Sequence, residues 1–218
     1  SEKILLDHAG NIVICGVFLS SKLDCDPDTA SEAYIYSNGR RDIFFAKYDA
    51  TGKYIFGKGM GGVENDNAYS FAIEKDNSII LTGSFESNKM DFDPGSGSHL
   101  LFNKGLSDFF FARYDINGNY IYAYSIGGII YDVCTDVDLD ESGNIIVTGY
   151  FSGDAVDFDP GPGVYTIDNT SSGYIYFAKY KQDGTFISAN AIGSWGDFSN
   201  NSNVTCLLAS KNGGFAIG

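Results

Sequence analysis

The 218-residue sequence is short of basic side chains: 14 Lys and Arg stand against 28 Asp and Glu, a formal charge of −14. A chain this acidic is repelled by a phosphate backbone, so nucleic acid is excluded as the expected partner. Glutamate is scarce too. Only six of the 28 acids are Glu, and Asp favours turns where Glu favours helices. The repeating units described below carry no helical periodicity. No run of about 18 apolar residues occurs, so no segment has the length of a membrane-spanning helix. The four cysteines, Cys15, Cys25, Cys134 and Cys206, lack metal spacing, because no two lie two to four residues apart. A Gly-x-Ser-x-Gly elbow, a zinc motif and a phosphate loop are all missing. The two histidines, His8 and His99, lie outside the repeated motifs and are expected at the surface.

What is plentiful points to strands. The hydrophobic share of 44% excludes a disordered chain. Aromatics at 15% and 27 glycines predict β-strands joined by tight turns. The chain opens at Ser1 rather than Met and reads as a processed product or a piece of something longer.

Three blocks recur in fixed order. Asn11-Ile-Val-Ile-Cys-Gly16 returns as Ser78-Ile-Ile-Leu-Thr-Gly83 and Asn144-Ile-Ile-Val-Thr-Gly149, and begins again as Gly213-Gly-Phe-Ala-Ile-Gly218. The closing glycines are 67, 66 and 69 residues apart. Asp24-Cys-Asp-Pro27 returns as Asp91-Phe-Asp-Pro94 and Asp157-Phe-Asp-Pro160. Asp42-Ile-Phe-Phe-Ala-Lys-Tyr-Asp49 returns as Asp108-Phe-Phe-Phe-Ala-Arg-Tyr-Asp115 and Tyr174-Ile-Tyr-Phe-Ala-Lys-Tyr-Lys181. The units are about 1–64, 65–130, 131–197 and a partial 198–218.

Each unit holds four apolar runs of strand length, in the middle unit 68–75, 78–85, 108–115 and 119–126. The first pair is joined at Asp76-Asn77 and the last by the hairpin turn Asp115-Ile-Asn-Gly118. Ile79-Ile-Leu-Thr82 and Phe109-Phe-Phe-Ala112 are apolar at consecutive positions, which predicts cover on both faces. A sandwich strand would alternate; a propeller blade is packed on both faces by its neighbours. The expected fold is all-β: a β-propeller of four-stranded antiparallel blades of about 66–69 residues, with three full blades and the start of a fourth. That count falls short of the roughly 4–8 blades of a closed propeller. The chain is therefore expected to be part of a larger propeller, its last strand pair (204–210 and 213–218) lacking outer partners. Completion by a partner chain is the alternative.

The order Gly143-Asn-Ile-Ile-Val-Thr-Gly-Tyr-Phe151, Val156-Asp-Phe-Asp-Pro-Gly-Pro-Gly163, Phe177-Ala-Lys-Tyr180, with an ending such as Ile126-Gly-Gly128, resembles the bacterial SBBP-type β-propeller repeat. The Asp-Phe-Asp-Pro-Gly version looks like that of Bacteroidetes-type bacteria. The resemblance implies the fold and an extracellular or cell-surface location. It implies no activity.

The candidate chemistry lies in the repeated polar positions. Asp91 with Asp93 and Asp157 with Asp159 are two residues apart and point the same way in an extended segment. With oxygens near Asp66 and Asp132 they are candidate ligands of a structural Ca²⁺. Asp24 and Asp26 are the first unit's weaker version, with Cys25 replacing Phe. The competing reading is that Asp and Pro only fix a turn. Asp138-Leu-Asp-Glu-Ser-Gly-Asn144 begins like an EF-hand loop but has Gly149 where the twelfth-position Glu belongs, and is read as a hairpin turn. Lys47, Arg113 and Lys179 share one position inside an apolar strand. Such a cation needs a partner, and the repeated Asp residues are expected to supply it within the blade. Cys15 stands where Thr82 and Thr148 stand, and Cys25 where Phe92 and Phe158 stand, so the cysteines are expected as packed small hydrophobes rather than disulfide partners. The expected function is a non-catalytic binding or scaffold module with a protein or glycan ligand. An enzyme of lyase or glycosidase type, with its site on other blades, and a subunit of a surface assembly are the alternatives.

Overall fold

The structure is a computed structural model, and it describes residues 2–153, 155–168, 173–194, 207–209 and 215–217. The repeat becomes three four-stranded antiparallel sheets. Blade 1 is β1 (Lys3–Leu6), β2 (Ile12–Phe18), β5 (Asp42–Tyr48) and β6 (Tyr54–Met60), paired in that order. Blade 2 is β7 (Asp66–Ile73), β8 (Ile79–Phe85), β11 (Asp108–Tyr114) and β12 (Tyr120–Ile126). Blade 3 is β13 (Asp132–Leu139), β14 (Ile145–Phe151), β17 (Tyr174–Tyr180) and β18 (Phe186–Ser194). A fourth unit contributes the hairpin β19 (Leu207–Ala209) and β20 (Phe215–Ile217). Among the described residues that hairpin has no further strand, as expected. Trp195, Cys206 and the rest of the last strand pair lie outside the described residues.

The core lies between the blades. One apolar cluster joins Val13, Cys15, Ile43 and Phe45 of blade 1 to Phe71, Ile79, Leu81 and Phe110 of blade 2. A second joins Ile80, Phe109 and Phe111 of blade 2 to Val137, Ile145, Val147 and Tyr176 of blade 3. Alternate residues of one strand thus serve alternate junctions, and β8 of the middle blade is buried at every position. This is why its apolar residues run consecutively. Phe44, Phe110 and Tyr176 are all buried at the equivalent position. The outermost strand β12, with one flank in solvent, is mixed.

The Thr-Gly pair at the end of the first block has a steric reason. β7 carries one extra residue between Ala68 and Ser70, and β13 does so between Cys134 and Asp136. Each bulge pushes a carbonyl onto the neighbouring strand. A β-carbon on Gly83 would overlap the carbonyl oxygen of Asn67, and one on Gly149 would overlap that of Val133.

The long segment between the second and third strands is not a bare loop. It folds back as a small hairpin in each blade: β3 (Lys22–Asp24) with β4 (Tyr34–Tyr36), β9 (Lys89–Asp91) with β10 (Leu100–Phe102), and β15 (Val156–Asp157) with β16 (Thr166–Ile167). The middle residue of each Asp-x-Asp block anchors it: Phe92 and Phe158 are fully buried in the two junction cores, and Cys25 is buried too. The tyrosine at the end of the third strand tethers the same residue. The hydroxyls of Tyr48, Tyr114 and Tyr180 donate to the carbonyls of Cys25, Phe92 and Phe158 at 2.9, 3.0 and 3.0 Å. Tyr114→Phe should cost about 1 kcal/mol by leaving that carbonyl unpaired. It should also raise amide exchange selectively across residues 89–102; a uniform change along the chain would show that the tether does not hold the hairpin.

Candidate functional site

The cation in the third strand of every blade, buried at Lys47 and half-buried at Arg113 and Lys179, is paired within its own blade, as its repetition predicts. Its partner is the acid that opens the first hairpin turn. Lys47 Nζ lies 2.8 Å from Asp7 Oδ2, Arg113 Nε lies 2.5 Å from Glu74 Oε2, and Lys179 Nζ lies 2.7 Å from Asp140 Oδ2. Arg113 adds Asp76 at 3.1 Å. Burial opposes the charge of Asp7 and Asp140. The hydrogen bonds from Lys47 and Lys179, and from Asn11 and Asn144, overcome it and bring both carboxyls down to about 2. The segment that begins like an EF-hand is one of these turns: Asp140 Oδ1 accepts the N–H groups of Ser142 and Asn144 at 2.9 Å each.

The Asp-x-Asp carboxylates face their own backbone. Asp91 Oδ1 accepts the N–H of Asp93 at 3.0 Å and of His99 at 2.7 Å, while Asp93 Oδ1 accepts that of Gly95 at 2.8 Å. Asp157 and Asp159 repeat this with Asp159, Tyr165 and Gly161 at 3.1, 2.8 and 2.8 Å. Asp24 takes Asp26 and Ala33 at 3.1 and 2.9 Å, and Asp26 takes Asp28 at 2.9 Å. Burial resists the charge of Asp91, and donors from Ser98, His99 and Asp93 outweigh it and hold the carboxyl below its usual value. Asp66 and Asp132 do not join these blocks. They open β7 and β13, fully buried, and take the N–H groups of Gly62 and Gly128 at 2.6 Å each. Among the described residues, no three His, Cys, Asp or Glu side chains gather as a metal-binding group.

The remaining chemical candidates are placed as follows. His8 is exposed, but His99 is half-buried, its ring stacked on Tyr120 at 4.9 Å. Cys15, Cys25 and Cys134 are free and buried. Burial pushes their thiols up to about 12, 11 and 12, away from the thiolate that reactive cysteines need.

Two features were not singled out from the sequence. The first strands of the three blades converge, and their shared repeat position carries Lys3, Ser70 and Asp136. Lys3 Nζ donates to Ser70 Oγ at 2.8 Å and to Asp136 Oδ1 at 3.0 Å, and Ser70 Oγ also donates to Asp136. Below this bridge is a cavity of about 620 Å³, walled by Leu5, Ile73 and Leu139 and rimmed by His8, Lys75 and Asp140. The second is at the opposite end, where Arg41 is unique to blade 1. Its Nη1 donates to Asn67 Oδ1 at 3.1 Å, beside Asn65, which donates to Glu86 at 2.9 Å. Variation at one repeat position, Lys then Ser then Asp, was the available signal for the first.

No family model matches the chain. It is 31% identical over 122 residues to an uncharacterized WD repeat-containing protein of Acanthamoeba polyphaga mimivirus, a match that covers 53% of this chain and 9% of that protein. It is 24% identical over 146 residues to the regulatory protein FlaEY of Caulobacter vibrioides, covering 67% of this chain and 15% of that one. The chain thus spans a small part of the curated relatives it matches. A solved protein of unknown function from Bacteroides caccae aligns over 93% of this chain and 81% of its own at 10% identity and a TM-score of 0.35. The WD repeat-containing relative supports a repeat β-structure.

The ion pairs differ in depth: the Lys47 and Asp7 side chains are 3% and 1% exposed, whereas that of Lys179 is 28% exposed. Lys47→Met strands a buried carboxylate and should cost about 3 kcal/mol; Lys179→Met should cost clearly less. Equal losses by denaturant unfolding would mean that burial does not govern these pairs. The pH dependence has a defined sign. The folded pKa of Asp140 lies below the ordinary 3.8, so its contribution is present above that value and is lost as the pH falls toward 2. Asp140→Asn should therefore reduce the drop in melting temperature between pH 5 and pH 2.5.

Proposed function

We propose that the chain is a non-catalytic binding or scaffold segment of a β-propeller, of the bacterial SBBP-like kind, working outside the cell or at its surface. One observation carries this reading: the repeated polar residues are spent on holding blades together. Lys47, Arg113 and Lys179 lock turns, the Asp-x-Asp carboxylates fasten hairpins, and the tyrosines tether them. An active site needs one unique constellation, and none of these recurring groups supplies it. The surface location rests on the resemblance of the repeat. A protein or glycan ligand would enter the cavity between the three first strands, a concave, largely apolar place of the size small ligands use.

Among the described residues no blade covers one face of blade 1, and the scaffold role is read from the chemistry of that face. Ile4 is 63% exposed and Leu6 is 66% exposed. The residues at the position of Ile4 in the next blades, Phe71 and Val137, are 0% and 1% exposed, because a preceding blade covers them. Ile12 and Ile14 on the same face are half-buried, against the fully buried Ile79 and Leu81. The surface fits the opposite face of another blade of this repeat, which carries residues such as Val13, Cys15 and Phe45. The 218-residue chain should therefore self-associate in sedimentation velocity, and Ile4→Lys with Leu6→Lys should leave it monomeric with an unchanged far-ultraviolet spectrum. A parent chain that stays monomeric at high concentration would defeat the idea of an open docking face.

The same reading assigns a structural Ca²⁺ to the loops of Asp91 with Asp93 and Asp157 with Asp159. Chelator should then lower the melting temperature and added Ca²⁺ restore it. An unchanged melting curve assigns these carboxylates to turn formation alone.

A further inference from the structure

Four buried aspartates take no part in the ion pairs. Asp42 lies within electrostatic reach of Asp66 at the junction of blades 1 and 2, and Asp108 and Asp132 both approach Gly127 at the junction of blades 2 and 3. Each member opens a strand: Asp42 β5, Asp66 β7, Asp108 β11 and Asp132 β13. Among the described residues none of the four forms a salt bridge. At the second junction both carboxylates face one small volume left free by Gly127. A β-carbon there would overlap Oδ1 of Asp108 and lie 2.9 Å from Oδ2 of Asp132. At the first junction a β-carbon on Gly61 would overlap Oδ1 of Asp42, an oxygen that is buried and accepts no hydrogen bond.

The groups around each pair are known. Asp132 receives the N–H of Gly128 at 2.6 Å, with the N–H of Ser152, the hydroxyl of Tyr176 and the exposed Lys104 ammonium in its electrostatic reach. Asp108 receives the N–H of Lys104 at 3.3 and 3.2 Å on its two oxygens and the Ser125 hydroxyl at 3.0 Å. Asp66 receives Gly62 N–H at 2.6 Å, Ser87 N–H at 3.2 Å and the Ser87 hydroxyl at 2.8 Å. Asp42 receives Asn38 N–H at 2.5 Å.

We propose that the junction of blades 2 and 3 closes on a protonated Asp132 carboxyl facing Asp108, and that these two blades loosen as the pH rises and the proton leaves. Two carboxylates in one dry volume, with only the exposed Lys104 ammonium in reach, cannot both ionise cheaply. Burial first, and the charge of Asp108 after it, push Asp132 up to about 7 against its backbone donors. Burial also raises Asp108 and Asp66. The sign follows from linkage. A carboxyl whose folded pKa is raised contributes fully below the unfolded value near 3.8 and loses that contribution as the pH climbs through about 7.

The test is a pH titration of the aspartate carboxyl carbons by NMR, with amide exchange at the junction. Asp132 should titrate near neutrality, and Asp108→Asn should lower its midpoint by about one unit or more. The amide of Asp132, which bonds across the junction to the Ser107 carbonyl at 2.9 Å, should lose protection between pH 6 and pH 8 beyond the intrinsic rise in exchange, and the variant should not show this loss. Should Asp108→Asn fail to fold, the parent titration decides alone. Asp108 and Asp132 both ionised below pH 5, or protection that is flat from pH 6 to pH 8, would overturn the proposal.

Discussion

Everything in this fold depends on burying both faces of a four-stranded sheet at once. A lone blade would expose two apolar surfaces, and only its neighbours can cover them. The two cores therefore sit at the junctions, each drawing alternate residues from strands on either side. This explains the consecutive apolar runs, and it makes each blade's stability the property of a pair. The exposed Ile4 and Leu6 show the same constraint on a face that no other blade covers among the described residues.

With both faces apolar, polar side chains within the sheet must be satisfied locally. The repeat does this in three ways: the third-strand cation reaches the acid of the first turn, the tyrosine at that strand's end reaches a carbonyl of the inserted hairpin, and Asp-x-Asp carboxylates collect backbone N–H groups. Each device couples two segments far apart in sequence and close in the blade. The small hairpin is ordered because Phe92 or Phe158 is driven into the junction core beneath it.

The sequence made the blades legible because strand length, turn chemistry and two-sided apolarity all repeat. The limits of the last three strands of the middle unit, the buried Phe44, Phe110 and Tyr176, and the intra-blade pairing of Lys47, Arg113 and Lys179 follow from local pattern, whereas the first strand, expected at 68–75, lies at Asp66–Ile73. The inserted hairpins were not legible, since a three-residue strand such as β9 carries too little periodicity to register. The bulges opposite Gly83 and Gly149 were hidden because a conserved-looking glycine says that space is tight without saying what fills it. The bridge of Lys3, Ser70 and Asp136 escaped notice for the opposite reason: motif reading seeks identity, and this position works through difference.

The acids show how far location outweighs residue type. Asp7 and Asp140 are held near 2, whereas Asp132 is driven to about 7, and all three are largely buried aspartates that accept backbone N–H groups. The difference is the neighbour. A lysine ammonium meets Asp7 and Asp140 at ion-pair distance, while Asp132 looks across Gly127 at another carboxylate. Acid therefore attacks the blade from within, by discharging the turn locks. Base attacks between blades 2 and 3, by charging Asp132 beside Asp108. A chain with 28 acids and 14 bases cannot give every buried carboxylate a cation. The third-strand position assigns one to each turn, and the junction of blades 2 and 3 is left to solve the same problem with a proton.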